Sequence, residues 1–400
     1  MLFQTLDDKS ECVGIYCDDK LVFDPDLFPE ELTATWKYCT YLKDLTNIEY
    51  ANLYLQGTPV ESAIPEYLQD DWQDVSQKIQ AFQRSLSLSK VDRTENCIYD
   101  LVPQRFLMDF CRIKNSITEH VIKNYKRPRR YEFLLKVCKM LEEISNRRLN
   151  INYRKVKSYE KALNRQFGTS QYISYNQFGT ITGRLTTSKK SFPILTIRKD
   201  MRAVVEPVND EFVEFDFNGA EARVLMGVLE KPQPLVDIHD FHRDEVFDKK
   251  ITREESKTAF FAWLYGAKKI NQSTQGEKLQ RFYNKEEVIQ KFWNGNTVLT
   301  PLGKVINDVD LHHALNYIIQ STTAELTLLQ AIKINHLLQE RAARSFISCI
   351  IHDSIVIDLD KQDEHLLVLI RDLMSSTKFG KFGVNTSRGK NLGSLKKFEY

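Results

Sequence analysis

Two short segments, far apart in the chain, each place an aspartate at the end of an apolar run that favours a β-strand. The first is Val213-Glu214-Phe215-Asp216, and the second is Ile350-Ile351-His352-Asp353-Ser354. A sheet fixes the position of an acid at a strand end more firmly than a loop does. If the two strands are neighbours, their carboxylates meet at one edge, as they do in two-metal phosphoryl-transfer sites. Isolated strand-end acids are common, so the meaning of this pair depends on the sequence between them.

The composition is that of an ordinary soluble protein. The chain has 400 residues, 42% hydrophobic and 28% charged, which is enough for two or three packed subdomains. It has no run of about 18 apolar residues that could cross a membrane, and its start lacks the basic and apolar regions of a signal peptide. The seven cysteines are widely spaced, which favours reduced thiols. We therefore expect a cytoplasmic, intracellular location.

Charge is unevenly distributed. The formal net charge is +2, yet residues 1–100 contain 8 Lys and Arg against 19 Asp and Glu, whereas the remainder contains 48 against 35. A basic excess in the larger part of a chain is typical of a nucleic-acid channel, although a solvated basic face has the same composition. The acidic first hundred residues are expected to face away from a polyanion.

The sequence pattern predicts three regions. Residues 1–100 form an acidic N-terminal region of unknown role. Residues 101–170 have the pattern of basic helices, with an apolar stripe of helical spacing from Phe133 to Ile144. In residues 171–400 strands alternate with helices, and the motifs lie there.

The segment before Asp216 alternates acidic and apolar residues, as a half-buried strand does. Gly219 then opens a helix whose first turn contains Glu221 and Arg223. A carboxylate at this strand end can hold a hard cation such as Mg²⁺ together with phosphate oxygens. The alternative is that Asp216 is only a helix cap at the end of a strand.

The second acid lies in a predicted hairpin. Two β-rich runs, 347–350 and 355–357, flank the turn that contains Asp353. Pairing this hairpin beside the first strand would bring Asp353 close to Asp216. Two like charges at short range are costly unless they bind cations or share a proton.

A helix is predicted to begin at Thr252, because Thr252 and Glu255 have the spacing of a capping box. Two cationic and then two aromatic residues follow one another at intervals of four positions, so their side chains share one face of the helix. Such a face offers cations for a triphosphate and rings for a nucleotide. A solvated helix face and a core aromatic residue are the alternatives for any single position. The four residues are Arg253, Lys257, Phe261 and Tyr265.

These segments resemble the motifs of family A DNA polymerases, the Klenow-type and phage-type enzymes. The blocks occur in the family's order across about residues 180 to 358. The matching segments are Thr182 to Thr187 for TGRLSS, Asp216 to Leu225 for motif A, Asp237-Ile238-His239 with Glu245-Val246-Phe247 for DIH and EVF, Arg253 to Gly266 for motif B, Thr300 to Lys304 for TPLGR, Asn316 to Leu326 for NxxxQGTAADL, and His352-Asp353 for motif C.

The resemblance implies an α+β, right-hand polymerase fold with an antiparallel-sheet palm, helical fingers at about residues 230–300 and a reduced helical thumb within 101–170. The implied activity is template-directed addition of dNTPs to a primer 3′-hydroxyl, with release of pyrophosphate. Primer-template DNA and dNTPs are the implied partners, and two Mg²⁺ ions are the implied cofactors.

The resemblance also implies roles for individual residues. Asp216 and Asp353 would be catalytic and would hold the metal together with Phe217. The expected nucleotide-binding residues comprise phosphate contacts, ring contacts and a carboxylate that excludes a ribose 2′-hydroxyl. They are Glu221, His239, Arg253, Lys257, Phe261 and Tyr265, and the expected primer-template contacts are Arg184, Gln320 and His352.

Three positions depart from the family pattern. Ser354 stands where these DNA polymerases usually have an acid, and it resembles the single-subunit RNA polymerases instead. Phe260 and His312 stand where the family often has Asn and Arg. An RNA polymerase and an inactive accessory subunit that binds primer-template are therefore the alternatives, although Glu221, Gly183 and the retained aspartates favour an active DNA enzyme.

The region before the motifs is short. About 30 residues separate Asn150 from Thr182, fewer than a full-sized thumb needs. Residues 1–100 lack both the Asp-x-Glu opening and the length of a proofreading exonuclease domain. We therefore expect a compact member of the family, with poor processivity unless a processivity factor or another replication protein supplies the grip on DNA.

Overall fold

The computed structural model describes residues 4–5, 14–28, 51–91, 96, 98–163 and 170–398. The chain divides into two compact units, Met1–Asn146 and Arg147–Tyr400. This boundary falls inside the region 101–170 that the sequence assigns to a thumb, and the three-region division stays a prediction. Cys12, Cys39 and Cys97 lie outside the described residues, whereas Cys111, Cys138 and Cys349 have free thiols.

The first unit is mainly helical. On its longest helix, Ile113, Ile117 and Val121 follow one another every four residues and are at most 5% exposed, so one face forms the core. They pack in one apolar cluster with Val75. The elements are the antiparallel strands β1 (Gln4–Thr5), β2 (Ile15–Cys17) and β3 (Lys20–Val22) and the helices α1 (Ala51–Tyr54), α2 (Gln69–Leu88), α3 (Ile98–Leu101), α4 (Gln104–Asn124) and α5 (Tyr131–Ser145).

The predicted apolar stripe from Phe133 to Ile144 lies on α5. Val137, Leu141 and Ile144 are buried, and Phe133 and Leu134 are half-buried. The helical spacing of these residues therefore predicts the buried face of α5.

The second unit is built on a five-stranded antiparallel sheet, which is assembled from strands far apart in the sequence. Several two-residue strands form separate short ladders. The strands are β4 (Asn150–Ile151), β5 (Tyr175–Asn176), β6 (Thr186–Thr187), β7 (Val205–Glu206), β8 (Glu211–Phe217), β9 (Val298–Leu299), β10 (Val305–Ile306), β11 (Phe346–Ile351), β12 (Ser354–Leu359), β13 (Ser376–Thr377), β14 (Gly380–Lys381), β15 (Val384–Gly389) and β16 (Lys396–Lys397).

The order of the main sheet is β11-β12-β8-β15-β16, so β8 is its central strand. The side chains of Val213, Phe215 and Phe217 are at most 1% exposed and form part of the core. Glu214 and Asp216 alternate with them and are half-buried. Because side chains alternate between the faces of a strand, Glu214 and Asp216 share one face of β8 with the buried Phe212, whereas Val213, Phe215 and Phe217 lie on the other face.

Helices cover the sheet. The longest, α13, spans 30 residues and packs on α7, α14 and β11. Its own apolar side chains point to all sides, so it has little amphipathic character, as expected for a helix buried in a core. The helices are α6 (Tyr153–Leu163), α7 (Ala220–Val228), α8 (Ile238–Phe241), α9 (Arg253–Leu264), α10 (Lys268–Asn271), α11 (Thr274–Tyr283), α12 (Lys285–Phe292), α13 (Leu311–Glu340) and α14 (Leu367–Ser375).

None of the helices in the described part of the chain is long and apolar enough to cross a lipid bilayer.

Candidate active site

Of the two predicted aspartates, Asp216 lies on β8 and Asp353 lies in the turn before the neighbouring strand β12. β11 and β12 form the predicted hairpin, joined by His352 and Asp353, and His352 has a φ of 57° that closes the turn. β12 pairs antiparallel with β8, with Ser354 opposite Asp216. Asp353 therefore lies beside Asp216, as the strand pattern predicts.

Burial and mutual repulsion both act on these acids. The pKa of Asp216 is raised to about 7, first by burial and then by the charges of Asp353 and Glu214, against a hydrogen bond from Asn385 and the charge of Lys199. Burial also raises the pKa of Asp353. Two half-buried carboxylates that repel each other at neutral pH form an arrangement that a bound cation would stabilise.

The donors at this edge fit a hard divalent cation. Two carboxylates are available, and the backbone carbonyl of Phe217 follows Asp216 directly. The Phe217 ring is 1% exposed and packs on Phe382 at 5.6 Å, so only its backbone could serve as a ligand. The described residues contain no group of three or more His, Cys, Asp or Glu side chains that could hold a metal. A cation here would need phosphate oxygens and water to complete its coordination.

The helix α9 begins as the sequence predicts. The hydroxyl of Thr252 accepts a hydrogen bond from the backbone N–H of Glu255, and the Glu255 carboxylate accepts one from the backbone N–H of Thr252, which completes a capping box. Lys257 is exposed, and its charge lowers the pKa of Asp353. The cationic face of α9 therefore lies near the paired acids.

Arg253 at the start of α9 forms an ion pair that the sequence did not predict. Its Nη2 donates to Oδ2 of Asp237 at 2.7 Å, and its Nε donates to Oδ1 at 3.1 Å. Asp237 also caps α8 and accepts a hydrogen bond from Asn218 Nδ2 at 2.7 Å. Burial opposes its ionisation, but these hydrogen bonds hold the pKa of Asp237 below its usual range. The position of Asp237 before a short helix was the sequence clue to this cap.

Four predicted site residues form one hydrogen-bonded cluster around Glu221. This carboxylate is 5% exposed, and it accepts hydrogen bonds from Arg184 Nη2 at 2.5 Å and from the Tyr265 hydroxyl at 2.6 Å. The Tyr265 hydroxyl also contacts the side chain of Gln320. Burial raises the pKa of Glu221, and both hydrogen bonds oppose that shift. The cluster connects α7, α9 and α13 to the segment that contains Arg184.

The predicted phosphate ligand His239 is largely buried. It is 3% exposed, and burial lowers its pKa to about 4, so the imidazole is neutral at pH 7. Within the described part of the chain its Nδ1 has no hydrogen-bond partner. The ring lies 5.8 Å from that of Phe261, which stacks on Tyr265 at 6.0 Å. The two predicted nucleotide-binding rings on α9 therefore share a face, and His239 packs beside them.

Phe260 fills the interior behind this face. It is fully buried and stacks on His242 at 5.0 Å, in a cluster that includes Tyr283 and Trp263. The departure from the family pattern at Phe260 is therefore a core substitution that extends an aromatic cluster.

Comparisons with known proteins show which proteins this chain resembles. No protein-family model matches the chain. A region of 228 residues is 25% identical to DNA polymerase I of Aquifex aeolicus (strain VF5), and a region of 248 residues is 26% identical to the DNA polymerase of Bacillus phage SP01; each covers 48% of this chain. About half of the chain is thus similar in sequence to bacterial and phage DNA polymerases of family A.

The similarity has a limited extent in the curated relatives. The chain spans 39% of the Aquifex protein and 27% of the phage protein. Among solved structures, the POL domain of Pol1 from M. smegmatis, in complex with DNA primer-template and dNTP, aligns with a TM-score of 0.64 over 98% of this chain and 95% of that one, at 12% identity. This structural similarity confirms the predicted α+β polymerase fold, whereas the shortened thumb stays a prediction.

Two further residues hold the segment from Asp216 to Leu225 in place. The guanidinium of Arg223 is fully buried and donates to the backbone carbonyls of Asn218, Pro234 and Val236. Asn218 Oδ1 accepts from the backbone N–H of Ile238 at 2.8 Å. The sequence placed Arg223 in the first turn of a helix but gave no indication of these partners, because they lie on a loop that packs back on the strand.

Two other supporting residues were also missed. Asn385 on β15 pairs with Asp216 in register, and its side chain hydrogen-bonds the Asp216 carboxylate. The Tyr175 hydroxyl donates to the carbonyl of Ile350 at 2.7 Å and accepts from its N–H at 3.0 Å. Neither residue belongs to a recognised motif, so only the assembled sheet identifies them.

The predicted primer-template residues lie near one another. Arg184 and His352 both line a small pocket with Gly183 and Ala324. His352 is exposed, and burial of part of its ring lowers its pKa. Contacts of Arg184, Gln320 and His352 with nucleic acid stay predictions.

Proposed function

We propose that this chain is a template-directed DNA polymerase that adds dNTPs to a primer 3′-hydroxyl and releases pyrophosphate. The observation that supports this proposal best is the position of Asp216 and Asp353 at the ends of adjacent strands, beside the cationic face of α9. Carboxylates for cations and cations for phosphates are the two charge patterns that nucleotidyl transfer requires.

Asp216, Asp353 and the carbonyl of Phe217 would hold two Mg²⁺ ions. When bound, such cations lower the pKa of an attacking hydroxyl and stabilise the charge that develops on the phosphate. The sheet contributes by fixing both carboxylates before the substrate arrives, since β8 is bonded to strands on both sides.

The nucleotide would bind along α9. Lys257 is exposed and would meet the triphosphate directly. Arg253 already pairs with Asp237, so it would share its guanidinium between that carboxylate and a phosphate. His239 is neutral and would act as a hydrogen-bond donor rather than as a cation. Phe261 and Tyr265 would pack on the sugar and the base.

Glu221 would exclude a ribose 2′-hydroxyl by occupying its space, because the buried carboxylate is held in place by a donor on each of its oxygens. A hydroxyl placed against it would displace one of these donors or pack without a partner. Arg184, Gln320 and His352 would contact the primer-template, where minor-groove acceptors are nearly independent of sequence. The intracellular location and any processivity factor belong to the same proposal.

Primer extension tests this function. The full chain, with dNTPs, Mg²⁺ and a primed template, is expected to extend the primer, and Asp216→Asn and Asp353→Asn are expected to abolish extension while the circular dichroism spectrum is retained. The exposed Asp372→Asn on α14 is a matched control that removes an acid away from the paired aspartates. Undiminished synthesis by either active-site variant would refute the assignment.

Ser354 favours one second candidate, an RNA polymerase, because motif C lacks the usual acid. Parallel assays with rNTPs and dNTPs separate the two functions. We expect dNTP incorporation to dominate, and we expect Glu221→Ala to raise rNTP incorporation. A preference for rNTPs in the unaltered protein would support RNA synthesis instead.

A further inference from the structure

We propose that Glu214 supplies the third negative charge at the edge formed by Asp216 and Asp353, in place of the acid that this chain lacks at Ser354. Glu214 would act as a positioning residue that strengthens the binding of a divalent cation. The inference rests on the proposed function and assigns a role to a side chain outside the recognised motifs.

The strand places Glu214 on the same face as Asp216. The two residues are separated by one position on β8, so their side chains point to the same side of the sheet, about 7 Å apart along the strand. Both are half-buried, whereas the intervening Phe215 is fully buried in the core. An acid at this position is therefore on the reactive face of the sheet.

Ser354 lies within reach of that carboxylate. It is 3% exposed, and its Oγ lies 3.1 Å from Oε1 of Glu214 and 3.1 Å from the carbonyl of Ile351. The single hydroxyl hydrogen serves one acceptor at a time. When it is donated to Glu214, it joins β12 to β8 and orients the carboxylate across the strand pair.

The pairing register of β8 and β12 shows where Glu214 lies relative to position 354. Ser354 is directly opposite Asp216, and Val356 is directly opposite Glu214. An acid at position 354 would stand beside Asp216 on β12, whereas Glu214 stands diagonally from that position on β8, about 7–8 Å away. The site would thus retain three acids, with the third moved to the neighbouring strand and tied to the serine that replaces it.

Glu214 would act through its charge rather than as a ligand, since the described residues contain no three-residue metal-ligand group. A carboxylate several ångströms away still attracts a divalent cation through a half-buried, low-dielectric environment. Glu214→Gln separates this role from a structural one, because the amide can still accept the Ser354 hydrogen bond but has no charge.

The test is direct binding of Mn²⁺ to the full chain, measured from the electron paramagnetic resonance signal of free hydrated Mn²⁺. Glu214→Gln is expected to raise the Kd for Mn²⁺ about tenfold, the lower end of the loss caused by removing partners of a metal site. The double variant Glu214→Ser with Ser354→Glu restores an acid and a hydroxyl in exchanged positions, and it is expected to bind Mn²⁺ more tightly than Glu214→Gln does. Glu230→Gln removes an acid whose side chain is 86% exposed and is expected to leave the Kd unchanged.

An unchanged Kd in Glu214→Gln, at an unchanged Tm, would overturn the inference. A double variant whose Kd for Mn²⁺ is about tenfold or more above that of the unaltered chain would also overturn it, and this comparison decides the question if Glu214→Gln does not fold. Primer extension by the unaltered chain is measured separately. If Mn²⁺ binding depends on Glu214 but no primer is extended, the proposed function fails and the role of Glu214 stands.

Discussion

The hydroxyl of Tyr265 donates a 2.6 Å hydrogen bond to Oε2 of Glu221, which joins the end of α9 to the first turn of α7. Arg184 occupies the other oxygen of the same carboxylate. Glu221 is therefore held from two sides by residues on two other segments. The orientation of the proposed sugar-excluding group depends on both donors.

Removing the phenol should weaken sugar discrimination. Tyr265→Phe leaves the buried Glu221 with one donor, so we expect the ratio of kcat/KM for dNTPs to kcat/KM for rNTPs to fall about tenfold, which corresponds to about 1.4 kcal/mol. Steady-state incorporation opposite a defined template base measures this ratio. Tyr67→Phe, whose side chain is 72% exposed, is the control and should leave the ratio unaltered. An unchanged ratio in Tyr265→Phe would show that the hydrogen bond does not position Glu221.

The Asp237–Arg253 pair should stabilise the protein in a pH-dependent way. The pKa of Asp237 is depressed in the folded state, so its contribution is complete above the unfolded value of about 4 and is lost as the pH falls through the folded value. We expect Asp237→Asn to lower the free energy of unfolding by about 2 kcal/mol at pH 7. The difference in the free energy of unfolding between Asp237→Asn and the unaltered protein should become smaller below pH 4. Urea unfolding across pH 2–7 measures this difference. A difference that stays constant with pH would contradict this account.

His242 should lower the stability in the same direction, as the pH falls, but in a higher pH range than Asp237 does. Burial lowers its folded pKa to about 3, whereas the unfolded residue takes up a proton near pH 6.5. Between these two pKa values His242 binds a proton only in the unfolded state. The contribution of His242 should therefore lower the free energy of unfolding of the unaltered protein by about 2 kcal/mol as the pH falls from 7 to 5. We expect His242→Phe, which keeps an aromatic ring against Phe260, to lack that loss. The exposed His365→Gln is the control, and parallel pH slopes for His242→Phe and the unaltered protein would exclude a buried neutral His242.

Lys257 should contribute more to nucleotide binding than an ordinary surface lysine. Its side chain is exposed near Asp353, where a triphosphate would lie. We expect Lys257→Ala to lower kcat/KM for dNTPs about 30-fold, the equivalent of about 2 kcal/mol for a hydrogen bond to a charged group. Lys291→Ala on α12 removes a cation whose side chain is 51% exposed and should change kcat/KM by less than about twofold. Equal effects of the two variants would place the phosphates elsewhere.

Asn385 should support Asp216 without affecting the fold. Asn385 lies on β15, which pairs with β8 on the side away from β12, and its side chain hydrogen-bonds the Asp216 carboxylate. We expect Asn385→Leu to slow primer extension about tenfold, since partners that orient metal-site ligands usually contribute this much. Thermal unfolding should show a Tm close to that of the unaltered protein. Full activity in Asn385→Leu would mean that β8 alone fixes Asp216.

Several features of the site were predictable from local sequence. The capping box of Thr252 predicts the start of α9, and the alternation before Asp216 predicts the strand β8. The β-rich runs around Asp353 predict the hairpin. These predictions succeed because caps, strand alternation and hairpin turns depend on residues within about four positions of one another.

The partners of the charged residues were not predictable in the same way. The sequence assigns Arg253 to a phosphate but does not reveal its ion pair with Asp237. It assigns Arg184 to DNA but does not reveal its bond to Glu221. Such pairs form between segments that meet only after folding, and a buried charge must find whichever partner the packing brings within reach.

The sequence by itself determined the order of the motifs, the helices and strands that bear them, and the relationship to family A polymerases. Only the tertiary structure decided that Asn385 bonds Asp216, that Glu214 lies within reach of Ser354, and that His239 is neutral and buried. The physical reason is that secondary structure follows from local periodicity and turn chemistry, whereas the ionisation state and hydrogen-bond partners of a side chain follow from burial and from neighbours supplied by distant strands.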